Sequence, residues 1–266
     1  MEDNLEELIE EIFGCGGTIS DAKNFLSMDF ISSLPAPVTA IMDTLQPIGI
    51  LLVTLYWLID IIEKTTSGQG YSIEQFVKSF VKLTIGLVMV GNCQKLCLGI
   101  IQFSGGVLGK IGDVGEMSSQ GKEIVLEYAE DLGFFEGILF YVELLIPYLI
   151  TKICSIIVLF ISLGRAILLL VKCGFAPIGL ADIFFAPGGG NGTRYIKGLL
   201  ASGLQGAVIL GILVIVVLVG PNITTGSTSI AISDVQKVLW MQVLLMFAMA
   251  GAVVSSLALA KEITGA

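Results

Sequence analysis

Histidine is absent from the 266 residues, and charged side chains make up only 14% of them against 55% hydrophobic ones. The first absence removes the commonest general base and the commonest metal ligand. The second puts the chain outside the range of soluble domains, which run near ~45–50% apolar and ~25% charged. Cysteine is sparse and odd in number: five thiols, one of which, Cys154, lies deep in an apolar run. Cys93 and Cys97 stand one helical turn apart, but no second pair completes a metal-binding set, so packed thiols are the expectation. There is no GxxxxGK[ST] phosphate loop, and no Ser/His or paired-Asp arrangement suited to intramembrane proteolysis. The chain is expected not to be an enzyme, with no catalytic residue, no metal and no cofactor.

A cleavable leader is not expected. The opening MEDNLEELIEE is acidic and leads into no short apolar core with a small-residue cleavage site, so the first span is expected to remain as an anchor. The net charge of −9 would argue against nucleic-acid binding in a soluble protein, but most of it lies in two acidic patches.

What the chain does have is long apolar runs. A bilayer crossing needs roughly 20 such residues, and the reading is an all-α polytopic membrane protein with about five spans over residues 38–262. The first runs about 41–62, with Asp43, Gln46 and Pro47 near its start and Trp57 and Asp60 near its end. After the polar EKTTSGQGYSIEQ comes a weaker stretch, 76–108, interrupted at Asn92-Cys93-Gln94-Lys95. Neither part spans alone, so one long or broken helix is expected, with Lys95 facing protein or water. A polar, acidic segment, 109–133, precedes a third and longer span, 134–172. The fourth and fifth spans are about 195–219 and 238–260.

Residues 1–37 form an acidic entry segment. Leu5, Leu8, Ile9, Ile12 and Phe13 fall at helical spacing, with Glu6, Glu7, Glu10 and Glu11 on the other side. Anionic lipid would repel such a helix. It either docks on a protein partner or caps the chain's own bundle.

Between the third and fourth spans the chain passes Gly174, Pro177, Asp182, Pro187 and a glycine triplet before Arg194 and Lys197. Ile178 to Phe185 is apolar but too short to cross, so this stretch reads as a helical hairpin or re-entrant stub at the cytoplasmic interface. Thr193 could cap the following helix, and Arg194 and Lys197 suit a positive-inside anchor.

These residues carry a family likeness. An aromatic-rich span containing Arg165, then APIGLADIFFA, then TRYIKGLLASGLQ resembles the TrbL-like family of polytopic inner-membrane channel subunits in conjugative type IV secretion systems. The residue-level likeness lies at about 155–206, and the layout of spans follows it over roughly 40–262. The polar segment at 109–133 is shorter than in many members. The resemblance implies a channel or scaffold subunit that helps pass a relaxase–single-stranded DNA complex, or a protein, across the cytoplasmic membrane of a bacterium. It also implies work beside cytoplasmic ATPases and other secretion-system subunits, transient contact with the translocated DNA–relaxase, and no chemistry of its own.

Two further patterns bear on function. Intramembrane charges are costly, about 2.5–3.5 kcal/mol each at a helix centre, and face a bundle interior or water. At ~100° per residue Glu143, Arg165 and Lys172 share one side of the third helix, and Lys152 points away. All four are candidate lumen or intersubunit charges, the alternative being that Lys152 and Arg165 snorkel to the interfaces. Small residues recur every four positions as Gly198, Ser202 and Gly206 in the fourth span and as Ala248, Ala252 and Ser256 in the fifth. Such ridges permit close helix packing in lipid, either between these two spans or in a homo-oligomer.

Five spans put the termini on opposite faces. With the N-terminus outside, seven basic residues (Lys64, Lys78, Lys82, Lys172, Arg194, Lys197, Lys261) fall inside and four (Lys23, Lys110, Lys122, Lys237) outside. The positive-inside rule then favours N-out and C-in. The rival reading is a small-solute secondary transporter with discontinuous helices, although no internal repeat relates two halves.

Overall fold

The computed structural model describes residues 2–13, 15–27, 34–66, 72–110, 120–130, 132–185, 190–225 and 235–266. The described residues are helical and contain no strand. In order the helices are α1 (Glu2–Phe13), α2 (Cys15–Ser27), α3 (Ala36–Thr66), α4 (Ile73–Gly91), α5 (Cys93–Lys110), α6 (Gln120–Glu130), α7 (Phe134–Gly174), the single turn α8 (Ala176–Gly179), α9 (Asn191–Thr225) and α10 (Val235–Thr264). Helices α3, α7, α9 and α10 are each long and apolar enough to cross a membrane, and α4 with α5 makes a fifth candidate bent by 66°. The protein is a polytopic, all-helical membrane protein. Pro187 and the first two glycines of the triplet lie outside the described residues.

The helices outrun the apolar runs that mark them. α7 remains one helix of 41 residues despite Pro147, about 60 Å long at 1.5 Å per residue, twice a ~30 Å hydrocarbon core. Nothing in the sequence between Phe134 and Gly174 supplies a turn. Its start is marked by Gly133, whose N–H donates to the Glu136 carboxylate at 3.4 Å.

The chain divides into two compact units. One takes in Met1–Ser27, Leu108–Gly164 and Gly206–Ser256. In it α1 buries Leu5, Leu8, Ile9, Ile12 and Phe13 and leaves Glu6, Glu7 and Glu10 exposed. The buried stripe joins Val125 of α6, Phe140 and Leu144 of α7, and Val235, Val238 and Leu239 of α10. Of the two roles open to this helix, capping the chain's own bundle is the one its packing fulfils. Glu10 also pairs with Lys122 of α6 at 2.6 Å. A second cluster gathers Leu26 of α2, Cys154 and Val158 of α7, Ile209 and Leu213 of α9, and Met246, Met249 and Val253 of α10.

The other unit takes in Met28–Val107, Arg165–Gln205 and Leu257–Ala266. Its core runs through Met42 and Val53 of α3, Val90 of α4, Cys93, Cys97 and Ile101 of α5, Leu169 and Cys173 of α7, Ala176 of α8 and Leu199 of α9. Cys93, Cys97 and Cys173 are free, buried thiols here, as Cys154 is in the first unit.

The break between α4 and α5 falls on one residue. Asn92 is a turn whose side-chain amide donates to Val88 O at 2.9 Å, the local competition with the helix ladder that makes asparagine a helix breaker. From α3, Gln46 Nε2 donates to Gly91 O at 3.3 Å and Asp43 accepts from Gln94 Nε2 at 2.9 Å. The polar residues that interrupt the apolar runs in α3 and α4–α5 thus serve each other.

Candidate functional site

Arg165 is the largest fully buried side chain among the described residues, at 2% exposure. Its Nε donates to Ser202 O at 3.1 Å, and its Nη2 donates to Gly203 O at 2.7 Å and to Ser104 Oγ at 2.8 Å. Ser104 in turn donates to Gly203 O at 2.5 Å. One guanidinium therefore ties α7 to α9 and α5. Close approach is what makes this possible: Gly203 offers its carbonyl with only Ile100 and Ser104 against the place of a Cβ. About two turns later on the same side of α7, Lys172 Nζ donates to Gly198 O at 3.1 Å and to Ser202 Oγ at 2.5 Å. Tyr195 donates its hydroxyl to the Lys172 carbonyl.

The candidate charges along α7 meet unlike surroundings. Arg165 is enclosed, Lys172 is half-buried, and Glu143, in the other unit, is exposed and accepts from Gln236 of α10. For Arg165 and Lys172, backbone carbonyls and serine hydroxyls supply the acceptors. Lys152 does not snorkel alone. It pairs with Glu11 of α1 at 2.9 Å and sits 5.4 Å from the Tyr148 ring centroid. The Lys152 ammonium and the Tyr148 hydroxyl beside Glu11 hold its carboxyl below the usual carboxylate range.

The stretch after α7 is a packed hairpin in its described part. Gly174 and Pro177 are buried, and Gly174 lies against Ile41 of α3. The following helix starts at Asn191, earlier than expected, so Thr193 is inside it and is not its cap. Asp182 takes the capping role, accepting from Asn191 N at 3.2 Å. Gly192 lies so close to the turn that a Cβ there would stand 2.6 Å from Ile183 N. Arg194 and Lys197 are exposed, and Lys197 donates to Gly265 O at 3.2 Å.

The small residues are dispersed. Ser202 is buried beneath the two cations and Gly206 is buried in the other unit, but a Cβ on Gly198 would meet nothing within 4 Å. Ala248 is exposed, Ala252 half-buried and Ser256 buried. A four-residue repeat marks one side of a helix without saying what covers it.

Ser104 and Gly49, which lies against Pro177, escaped sequence reading, and Gly203 was legible only as one of the small residues that recur every four positions with Ala207 and Gly211. Each contact has a backbone carbonyl on one side, and a carbonyl leaves no sequence signature. The outward side of α5 was legible in principle, from the spacing of its polar and glycine residues.

Residues 36–177 match the family described as TrbL/VirB6 plasmid conjugal transfer like protein, a stretch from α3 into α8 that covers just over half of the chain. The match meets the residues first noticed as family-like only over 155–177. No curated protein and no solved structure matches the chain. With the first three candidate spans inside the matched stretch, the chain belongs to the TrbL/VirB6 plasmid conjugal transfer like family, which implies a component of a conjugal transfer system.

Proposed function

We propose that the chain is an inner-membrane channel or scaffold subunit of a conjugative type IV secretion apparatus, helping a relaxase–single-stranded DNA complex or a protein to cross. The observation that carries this reading is the family match laid over α3, the bent α4–α5 pair and α7. In this reading the subunit works as a homo-oligomer beside cytoplasmic ATPases and other secretion-system subunits and contacts the passing DNA–relaxase transiently. Its N-terminus is outside and its C-terminus in the cytoplasm. The groups it brings to the task are hydrogen-bonding and electrostatic, as suits a part that shapes a path.

The 66° bend between α4 and α5 and the single-turn α8 give the transporter reading its support, since discontinuous helices are how many secondary transporters hold solutes. An in-frame deletion separates the two. Loss of the chain is expected to drop conjugal transfer to background, with recovery when the gene is supplied in trans. Unchanged transfer, with a defect in solute uptake instead, would reverse the assignment.

A further inference from the structure

Helix α5 has two unlike sides. Cys93, Cys97, Ile101 and Ser104 are buried, and Ser104 and Ile100 pack on Gly203 of α9. On the other side Lys95, Gly99, Gln102 and Gly106 are all exposed, with Asn92 exposed at their border. At ~100° per residue these four fall within about 60° of one another. A Cβ on Gly99 or Gly106 would meet nothing within 4 Å. Among the described residues neither Lys95 nor Gln102 has a hydrogen-bond or ion-pair partner.

This is the reverse of what lipid selects. The other membrane-length helices turn Leu51, Leu58 and Ile62 of α3 or Ile156, Phe160 and Ile167 of α7 outward. α5 turns Cys93, Cys97 and Ile101 inward and presents an ammonium, an amide and two glycines, with Phe103 exposed at their edge. A lysine in hydrocarbon costs about 2.5–3.5 kcal/mol, and an amide such as that of Gln102 is also costly there without a partner. A partner helix on this side would need a carboxylate for Lys95. A water column needs nothing added.

We propose that the Asn92–Lys95–Gly99–Gln102–Gly106 side of α5 is the wall of the water-filled passage, and that its occupant is an extended, anionic polymer moving through that water. The full charges on this side of α5, Lys95 and at its end Lys110, are both positive, and around a ring of copies Lys95 would repeat as a ring of ammonium groups. Gln102 adds hydrogen bonding, and the glycines leave few apolar footholds that would arrest a moving chain, Phe103 standing at the edge. The proposal rests on the conjugal-transfer reading and adds the element and the polarity of the path.

Single cysteines at Lys95, Gly99 and Gln102 test it in the full chain, in membranes of cells carrying the transfer system, with Val81 and Ile85 of α4 as lipid-facing controls. The probe is the membrane-impermeant reagent methanethiosulfonate-ethyltrimethylammonium, and the unsubstituted chain sets the baseline from the native thiols. Modification is expected at 95, 99 and 102 and not at 81 or 85. Transfer by the Gly99→Cys and Gln102→Cys chains is expected to fall several-fold after reagent, each variant compared with itself before treatment. Protection at all three positions overturns the proposal, since lipid or a packed helix then covers α5. Modification with unchanged transfer overturns it as well, because the wetted side is then off the path. In both cases the intact chain still supports transfer. The conjugal-transfer reading fails differently, when deletion of the chain leaves transfer unchanged.

Discussion

Arg165→Leu is expected to abolish conjugal transfer and to destabilise the detergent-extracted chain by about 3 kcal/mol, while leaving membrane insertion intact. Leucine inserts more readily than arginine, so the loss would not come from targeting. Leucine also fills much of the space, which keeps the cavity contribution small. What disappears is the set of hydrogen bonds to Ser202 O, Gly203 O and Ser104 Oγ. A hydrogen bond involving a charged group contributes about 1.5–3 kcal/mol. The two carbonyls keep their helical partners, so they are not stranded, and the total falls below the ~4.5 kcal/mol that three such bonds would sum to at the low end. Arg165→Lys should fall between, because an ammonium on a flexible stem cannot reproduce the planar fork that spans neighbouring carbonyls. The expected order in melting temperature and transfer is Arg, then Lys, then Leu. A leucine variant with unchanged melting and full transfer would show that the guanidinium ties nothing together.

The second large effect is expected at Gly49. A Cβ there would stand 2.6 Å from Pro177 O, 2.9 Å from Pro177 C and 3.0 Å from Val90 Cγ1. The first two neighbours are backbone, held by the buried α8 turn, and cannot swing aside as a side-chain end can. Overpacking a filled site costs about 1–3 kcal/mol and at times more. Gly49→Ala should lie in that range, and Gly49→Val beyond it, through separation of α3 from α8. Gly91 supplies the control. It ends α4 with nothing within 4 Å of the place of its Cβ, so Gly91→Ala should be neutral or slightly stabilising, given the ~1 kcal/mol helix advantage of alanine over glycine. Equal melting temperatures for Gly49→Ala and Gly91→Ala would mean that α3 and α8 are not in contact.

Hydropathy made the membrane-spanning character legible, because apolar runs of that length have few other uses. It was less informative about helix ends. The fourth span was expected from Tyr195 and the helix starts at Asn191, since a helix continues past its apolar run until a cap such as Asp182 ends it. The interruption at Asn92 was visible as a cluster of polar residues, but the 66° angle depends on which carbonyls Asn92 and Gln46 engage. Charge patterning located Arg165 and misjudged its surroundings, because serine and glycine in α9 look like packing residues until their carbonyls are seen to accept. The same limit hid Gly49, whose neighbour is 128 residues away along the chain. α1 was the clearest case: five apolar positions at helical spacing foretold the buried stripe, and only the choice between partner and self remained open.

The central claim is a bilayer-embedded subunit whose bent α4–α5 pair crosses the membrane and carries the passage. Reporter fusions at the N-terminus, at the C-terminus and at Gly190 test it most directly. The account predicts an N-terminal reporter active outside, and the other two active in the cytoplasm. Both termini on one side of the membrane would make α4–α5 a re-entrant loop and contradict the account.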